Sequence, residues 1–159
     1  MYRKRLNGQG GFSLIELIIV IAVLGILGAI ASYSYMGYVN NSNLRSAARD
    51  MAADMANTRQ KAVSEGLTYR TIISVDANTY TIERGDAAGT TFTVVETKSP
   101  TAFGTGLTIS STNYTSSQIT YQPRGTISAG SVVLINSRDS TATITSNITG
   151  RTHVSFTIK

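Results

Sequence analysis

The chain has 159 residues, with 14 Lys and Arg against 9 Asp and Glu and a formal charge of +5; that length suits one soluble domain plus an anchor rather than several domains. There is no cysteine, which excludes a disulfide framework and thiolate metal sites. Three of the basic residues fall within the first 11 positions, so the rest of the chain carries only +2, and net charge by itself implies no nucleic-acid binder.

Arg3, Lys4 and Arg5 open the chain, and residues 1–11 read as a short basic leader. An apolar run follows from Phe12 to Ala31, and Leu17 to Ala31 carries no charge. At about 1.5 Å per residue this run covers roughly 30 Å, the thickness of a bilayer's hydrocarbon core. It is apolar on all faces, as a membrane helix is. Glu16 sits just inside it. A carboxylate in hydrocarbon is costly and marks a functional site by default. By the positive-inside rule the basic leader stays in the cytoplasm, so the C-terminal domain is expected across the membrane. A secretory signal peptide also joins a basic stretch to an apolar run, but its small residues follow the run. Here Gly10 and Gly11 precede it. A plain anchor would need neither Glu16 nor a Gly-Phe edge.

The helix is expected to continue to about Glu65, with a junction or kink at Asn40-Asn41-Ser42-Asn43. Tyr33, Tyr35 and Tyr38 suit the membrane–water interface or aromatic packing in a fibre core. Gly25, Gly28 and Gly37 weaken the helix by about 1 kcal/mol each relative to Ala. Residues 32–66 read as the amphipathic half of the helix, with the pattern set beyond the Asn-rich stretch. Leu44, Ala48, Met51, Met55 and Ala62 recur at helical spacing, while Arg45, Arg49, Asp50, Asp54, Arg59 and Lys61 take other faces. Gly66 is placed to end the helix.

From residue 67 to 159 Thr, Ser, Val, Ile and Tyr dominate, in short runs broken by Gly, Asn, Asp and Pro. Strands are expected at Thr68–Val75, Thr79–Arg84, Thr91–Glu96, Leu107–Ser110, Gln118–Gln122, Ser131–Asn136, Thr141–Ser146 and Thr152–Ile158. Asp76-Ala77-Asn78, Gly85 to Gly89 and Pro123-Arg124-Gly125 read as turns. Ser110 to Ser117 reads as a loop. The expected fold is α+β: a long N-terminal helix whose second half packs on an antiparallel β region.

Catalytic chemistry is not visible. There is one histidine, His153, in an expected strand, and no nucleophile, phosphate-loop or zinc spacing occurs. Asp86 stands in a Gly-rich turn, but calcium needs at least six oxygen ligands. Asn113-Tyr114-Thr115 and Asn147-Ile148-Thr149 match glycosylation sequons, which are frequent by chance. No cofactor, metal or enzymatic activity is expected.

The run Gly11-Phe12-Ser13-Leu14-Ile15-Glu16-Leu17 between leader and helix resembles the class III signal of type IV pilins and type II secretion pseudopilins. The resemblance implies cleavage by prepilin peptidase between Gly11 and Phe12 and N-methylation of Phe12. It also implies that Glu16, the fifth mature residue, pairs with the N-terminal amine of a neighbouring subunit. Ala47 to Gly66, with Arg59-Gln60-Lys61-Ala62, looks like the end of the first helix in H-type pseudopilins and fimbrial T-type minor pilins. Tyr121-Gln122-Pro123-Arg124-Gly125 resembles their aromatic-x-Pro-x-Gly turn, and Gly150-Arg151 their terminal Gly-Arg element. The chain departs from many major pilins in lacking a C-terminal disulfide and a helix-breaking proline. The implied function is a minor pilin or pseudopilin of a type IV pilus or type II secretion pseudopilus. Its implied partners are prepilin peptidase, the major subunit and other minor subunits, with the bacterial inner membrane as the site before assembly. The alternative is a DNA-binding minor pilin for DNA uptake, in which Arg151, Arg124 and Arg138 contact phosphates. There the family's second Arg of the Gly-Arg-x-Arg element is replaced by His153.

Overall fold

The computed structural model describes residues 12–159, without the side chains of 31–34. The leader expectation, Gly11 included, and the Tyr33 side chain therefore lie outside the described residues. Helix α1 (Leu14–Glu65) runs through both compact units of the chain, residues 1–36 and 37–159. Its start is capped by Ser13, whose Oγ accepts the Glu16 N–H at 3.2 Å. That is the N-cap to N3 bond of a Ser-x-x-Glu capping box. Its end is closed at Gly66, where the Leu67 N–H donates to the Ala62 carbonyl at 3.2 Å, the six-to-one bond of a Schellman motif. Both ends are set by local chemistry, and the stop at Gly66 is the one expected from the sequence.

In the first unit every described side chain from Phe12 to Ile30 is exposed. The helix is long and apolar enough there to cross a membrane.

In the second unit one stripe of α1 is buried: Leu44, Ala47, Ala48, Met51, Met55, Thr58 and Ala62. Steps of three and four residues keep such a stripe on one face. The Asn-rich stretch is fully helical, where a junction or kink was one expectation. Asn side chains usually compete with the helix backbone. Here they are engaged elsewhere: Asn40 Nδ2 donates to Ser137 Oγ at 3.4 Å and Asn136 Nδ2 to Asn41 Oδ1 at 2.9 Å.

Eight strands follow: β1 (Tyr69–Ser74), β2 (Thr79–Gly85), β3 (Phe92–Lys98), β4 (Thr108–Thr112), β5 (Gln118–Tyr121), β6 (Gly130–Ile135), β7 (Thr141–Ser146) and β8 (Thr152–Thr157). Each expected strand is present. They form two four-stranded sheets, in the orders β3-β2-β1-β5 and β4-β6-β7-β8, and every pairing is antiparallel. The stretch from Ser110, expected as a loop, is partly strand, because β4 continues to Thr112 past an irregularity between Ile109 and Ser111. An extra residue of this kind lets a ladder resume after a local bend. Inward positions alternate along the strands, with Tyr69, Thr71 and Ile73 on β1 and Val132 and Leu134 on β6. Apart from Thr71 and Thr58, these residues and the α1 stripe form a single core cluster with Ile119, Tyr121, Ala142 and Ile144. A core of this kind, without disulfides, must supply the stability of the domain.

Candidate functional site

The N-terminal candidates lie on the exposed part of α1. Phe12 is 83% exposed and precedes the helix, and Glu16 occupies its third position. The carboxylate is acidic in the first turn, where the helix dipole favours negative charge by about 0.3–1 kcal/mol. The Ser13 cap uses only the backbone N–H of residue 16, so the cap does not require a carboxylate there. The apolar side chains around Glu16, Leu14, Ile15 and Leu17 among them, are all exposed.

The three candidate arginines do not form one patch. Arg138 lies in the β6–β7 turn and Arg151 in the β7–β8 turn. Those turns cap opposite ends of β7, separated by about 20 Å at a strand rise of ~3.3 Å per residue. The Arg138 guanidinium packs over Gly37 of α1. Arg124 and Arg151, both exposed, sit on turns brought together by a residue that sequence reasoning left on an outer face, Arg59. Arg59 Nε donates to the Gly125 carbonyl at 2.7 Å and its Nη2 to the Thr149 carbonyl at 3.4 Å. The Pro-x-Gly turn and the Gly-Arg turn therefore meet on one guanidinium of α1. Gly125 and Gly150, at φ 87° and 82°, each leave the space that this side chain fills. The available signal was spacing, since Arg59 follows Met55 of the apolar stripe by four residues.

Asp50 and Asp54 were also placed on outer faces, and both turn toward the β2–β3 sheet. Lys98 Nζ lies 2.8 Å from Asp54 Oδ2 and 3.5 Å from Asp50 Oδ2. The Tyr80 hydroxyl donates to Asp54 at 2.7 Å. The Lys98 ammonium is raised above its ordinary range by its bond to Asp54. Burial, with Asp54 beside it, raises the Tyr80 hydroxyl strongly, and burial also raises Tyr114 and Tyr121.

All four groups are raised in the folded state, so their contribution is complete below the pKa of the unfolded chain. For tyrosine that ordinary value is 10.0. Above it the unfolded chain ionises first and stability falls. Thermal melts by circular dichroism are expected to show an unchanged midpoint from neutral pH to about pH 9.5 and a steep drop by about pH 11. A midpoint that holds through pH 11 would contradict this account of the buried tyrosines.

Other sites carry no visible catalytic set. A cleft of about 420 Å³ is lined by Met51, Tyr80, Lys98, Pro100, Phe103 and Leu134, and its charged groups are already paired. His153 is exposed on β8. Asp86, which stands in the Gly-rich turn, spends its carboxylate on the Thr90 N–H at 2.8 Å and the Thr90 hydroxyl at 3.2 Å. Those bonds hold the carboxyl below its ordinary range. Among the described residues no group of three or more His, Asp or Glu is placed to hold a metal ion.

A membrane-length apolar helix that runs into an α+β domain, with a lone carboxylate in its first turn, defines the pilin-like class of fibre subunits. The prokaryotic N-terminal methylation motif matches residues 6–32, and the family of the type II transport protein GspH matches residues 47–150. This chain belongs to that GspH family, within the minor pseudopilins and pilins. The fold is similar to that of the minor pseudopilin EpsH from the type 2 secretion system of Vibrio cholerae. That similarity has a TM-score of 0.60 at 12% identity, covering 71% of this chain and 96% of EpsH. It is also similar to the type IV minor pilin FimU of Pseudomonas aeruginosa, with a TM-score of 0.56 at 17% identity over 74% of this chain and 92% of FimU. Sequence comparison with curated proteins gives no match.

Proposed function

We propose that this chain is a non-enzymatic minor subunit of a type II secretion pseudopilus or type IV pilus. In this reading prepilin peptidase cuts between Gly11 and Phe12, and Phe12 is then N-methylated. Residues 12–31 hold the protein in the inner membrane, with the C-terminal domain outside the cytoplasm. Residues 12–31 then leave lipid for the fibre core, beside the major subunit and other minor subunits. The observation that carries the reading is the open apolar surface of residues 12–30, every one of them exposed, in which Glu16 is the one charged residue. An apolar surface of that length must be covered by lipid or by other helices. The DNA-uptake reading rests on Arg124 and Arg151, since Arg138 stands at the other end of β7.

Mass spectrometry of the protein recovered from host membranes tests the processing. The expected N-terminal peptide begins at a methylated Phe12. An intact Met1, or a cut beyond Ala31, overturns the reading.

A further inference from the structure

On the second half of α1 every carboxylate is held within the molecule, as is Arg59, while two other arginines are not. Its carboxylates past Met36 are Asp50, Asp54 and Glu65, and each is held within the molecule. Lys98 takes Asp50 and Asp54, and Arg84 takes Glu65 at 2.7 Å. The arginines Arg45 and Arg49 are exposed, and among the described residues neither forms an ion pair. Arg45 has only the Phe156 ring, 5.9 Å from its guanidinium carbon to the centroid.

These two arginines share a groove of about 340 Å³ with Tyr38, Asn41, Ser42 and Ser46. Tyr38, Ser42, Arg45 and Arg49 follow one another at steps of four, three and four residues, which makes a single stripe on the helix. Like charges four residues apart on a helix repel. Apart from apolar Ile158 the other lining groups are polar, and among the described residues no Asp or Glu lines the groove.

We infer that this stripe is a docking surface for a different subunit of the same fibre, one presenting a helix with two carboxylates about one turn apart. The inference rests on the fibre-subunit reading. Charge complementarity selects the occupant: two carboxylates at four-residue spacing match Arg45 and Arg49 and relieve their mutual repulsion. A second copy of this chain presenting the same helix is disfavoured, because it would bring the same arginines while the carboxylates of that helix past Met36 are engaged by Lys98 and Arg84. The stripe thus opposes self-polymerisation and selects a heterotypic neighbour.

The test uses the full chain in its host. A photo-crosslinking amino acid replaces exposed Ser42 or Ser46, fibres are sheared from the cells, and the crosslinked peptides are mapped by mass spectrometry. The expected partner is another fibre subunit, joined through a helical segment with two Asp or Glu about one turn apart. Arg45→Glu/Arg49→Glu is expected to lower crosslink yield on the order of tenfold. Lysines at the mapped acids should restore it. Thermal melts check that the variant folds, and Arg49→Glu alone, which keeps the Arg45–Phe156 contact, decides the matter if the double variant does not. Crosslinks only to a second copy, only to phospholipid, or to a segment without carboxylates overturn the inference while leaving the fibre reading intact. So does a yield insensitive to charge reversal. A chain never found in fibres overturns both.

Discussion

Glu16→Ala is expected to leave the chain in the membrane and to remove nearly all of it from the fibre. The substitution keeps the Ser13 cap, because that bond goes to the backbone N–H of residue 16. The helix dipole contribution it forfeits is about 0.3–1 kcal/mol, too little to unfold a helix this apolar. Removing a carboxylate from hydrocarbon also eases insertion. The loss falls on assembly. In the proposed fibre, cleavage would free an amine at Phe12, and a neighbouring Glu16 would be its partner in a low-dielectric core. Leaving one member of a buried ion pair alone costs about 3–5 kcal/mol, enough to depress incorporation by two orders of magnitude or more. Immunoblots of sheared fibres against membrane fractions measure both quantities. Glu16→Gln should behave as Ala does, since it keeps the shape and loses the charge. Equal recovery of wild type and either variant in fibres would overturn the role of Glu16.

Gly150→Ala is expected to cost the domain about 2.5–6 kcal/mol. A β-carbon at this position would fall well inside van der Waals contact distance of Arg59 Nε, and the backbone stands at φ 82°. Strain at such a φ accounts for about 1–3 kcal/mol. Displacing the guanidinium from the Gly125 and Thr149 carbonyls loses charged hydrogen bonds of about 1.5–3 kcal/mol. Arg59→Ala should cost only the second amount. In Arg59→Ala/Gly150→Ala the clash has no partner, so the combined loss should fall clearly below the sum of the two. Denaturant unfolding of the full chain in detergent gives all three values. Strict additivity would show that the two residues do not act through their contact.

Much of this architecture is legible because it is local. The three- and four-residue spacing from Leu44 to Ala62 states which helix face is buried, and Gly66 marks where the helix stops. β-branched runs punctuated by Gly, Asn and Pro locate all eight strands. The apolar run, the basic leader and Glu16 define the candidate assembly end, since membrane length and an isolated charge need no tertiary context. What the Asn-rich stretch does was less legible, because helix propensity weighs Asn by its competition with its own backbone. It could not weigh Asn136 and Ser137, which arrive about a hundred positions later to occupy those side chains.

What the sequence by itself determined is therefore the order and type of elements, the core stripe and the N-terminal motif, all set by periodicity and short-range chemistry. The division into two sheets was decided by tertiary structure, because β1 accepts β5 as its second neighbour across the intervening β2, β3 and β4. So was the meeting of the Gly125 and Gly150 turns on Arg59, and the separation of Arg138 from Arg151 along β7. The sorting of charge on α1 belongs to the same class. Asp50 lies beside Arg49 in the chain, and only the position of Lys98 on a distant strand makes one charge internal and leaves the other facing out.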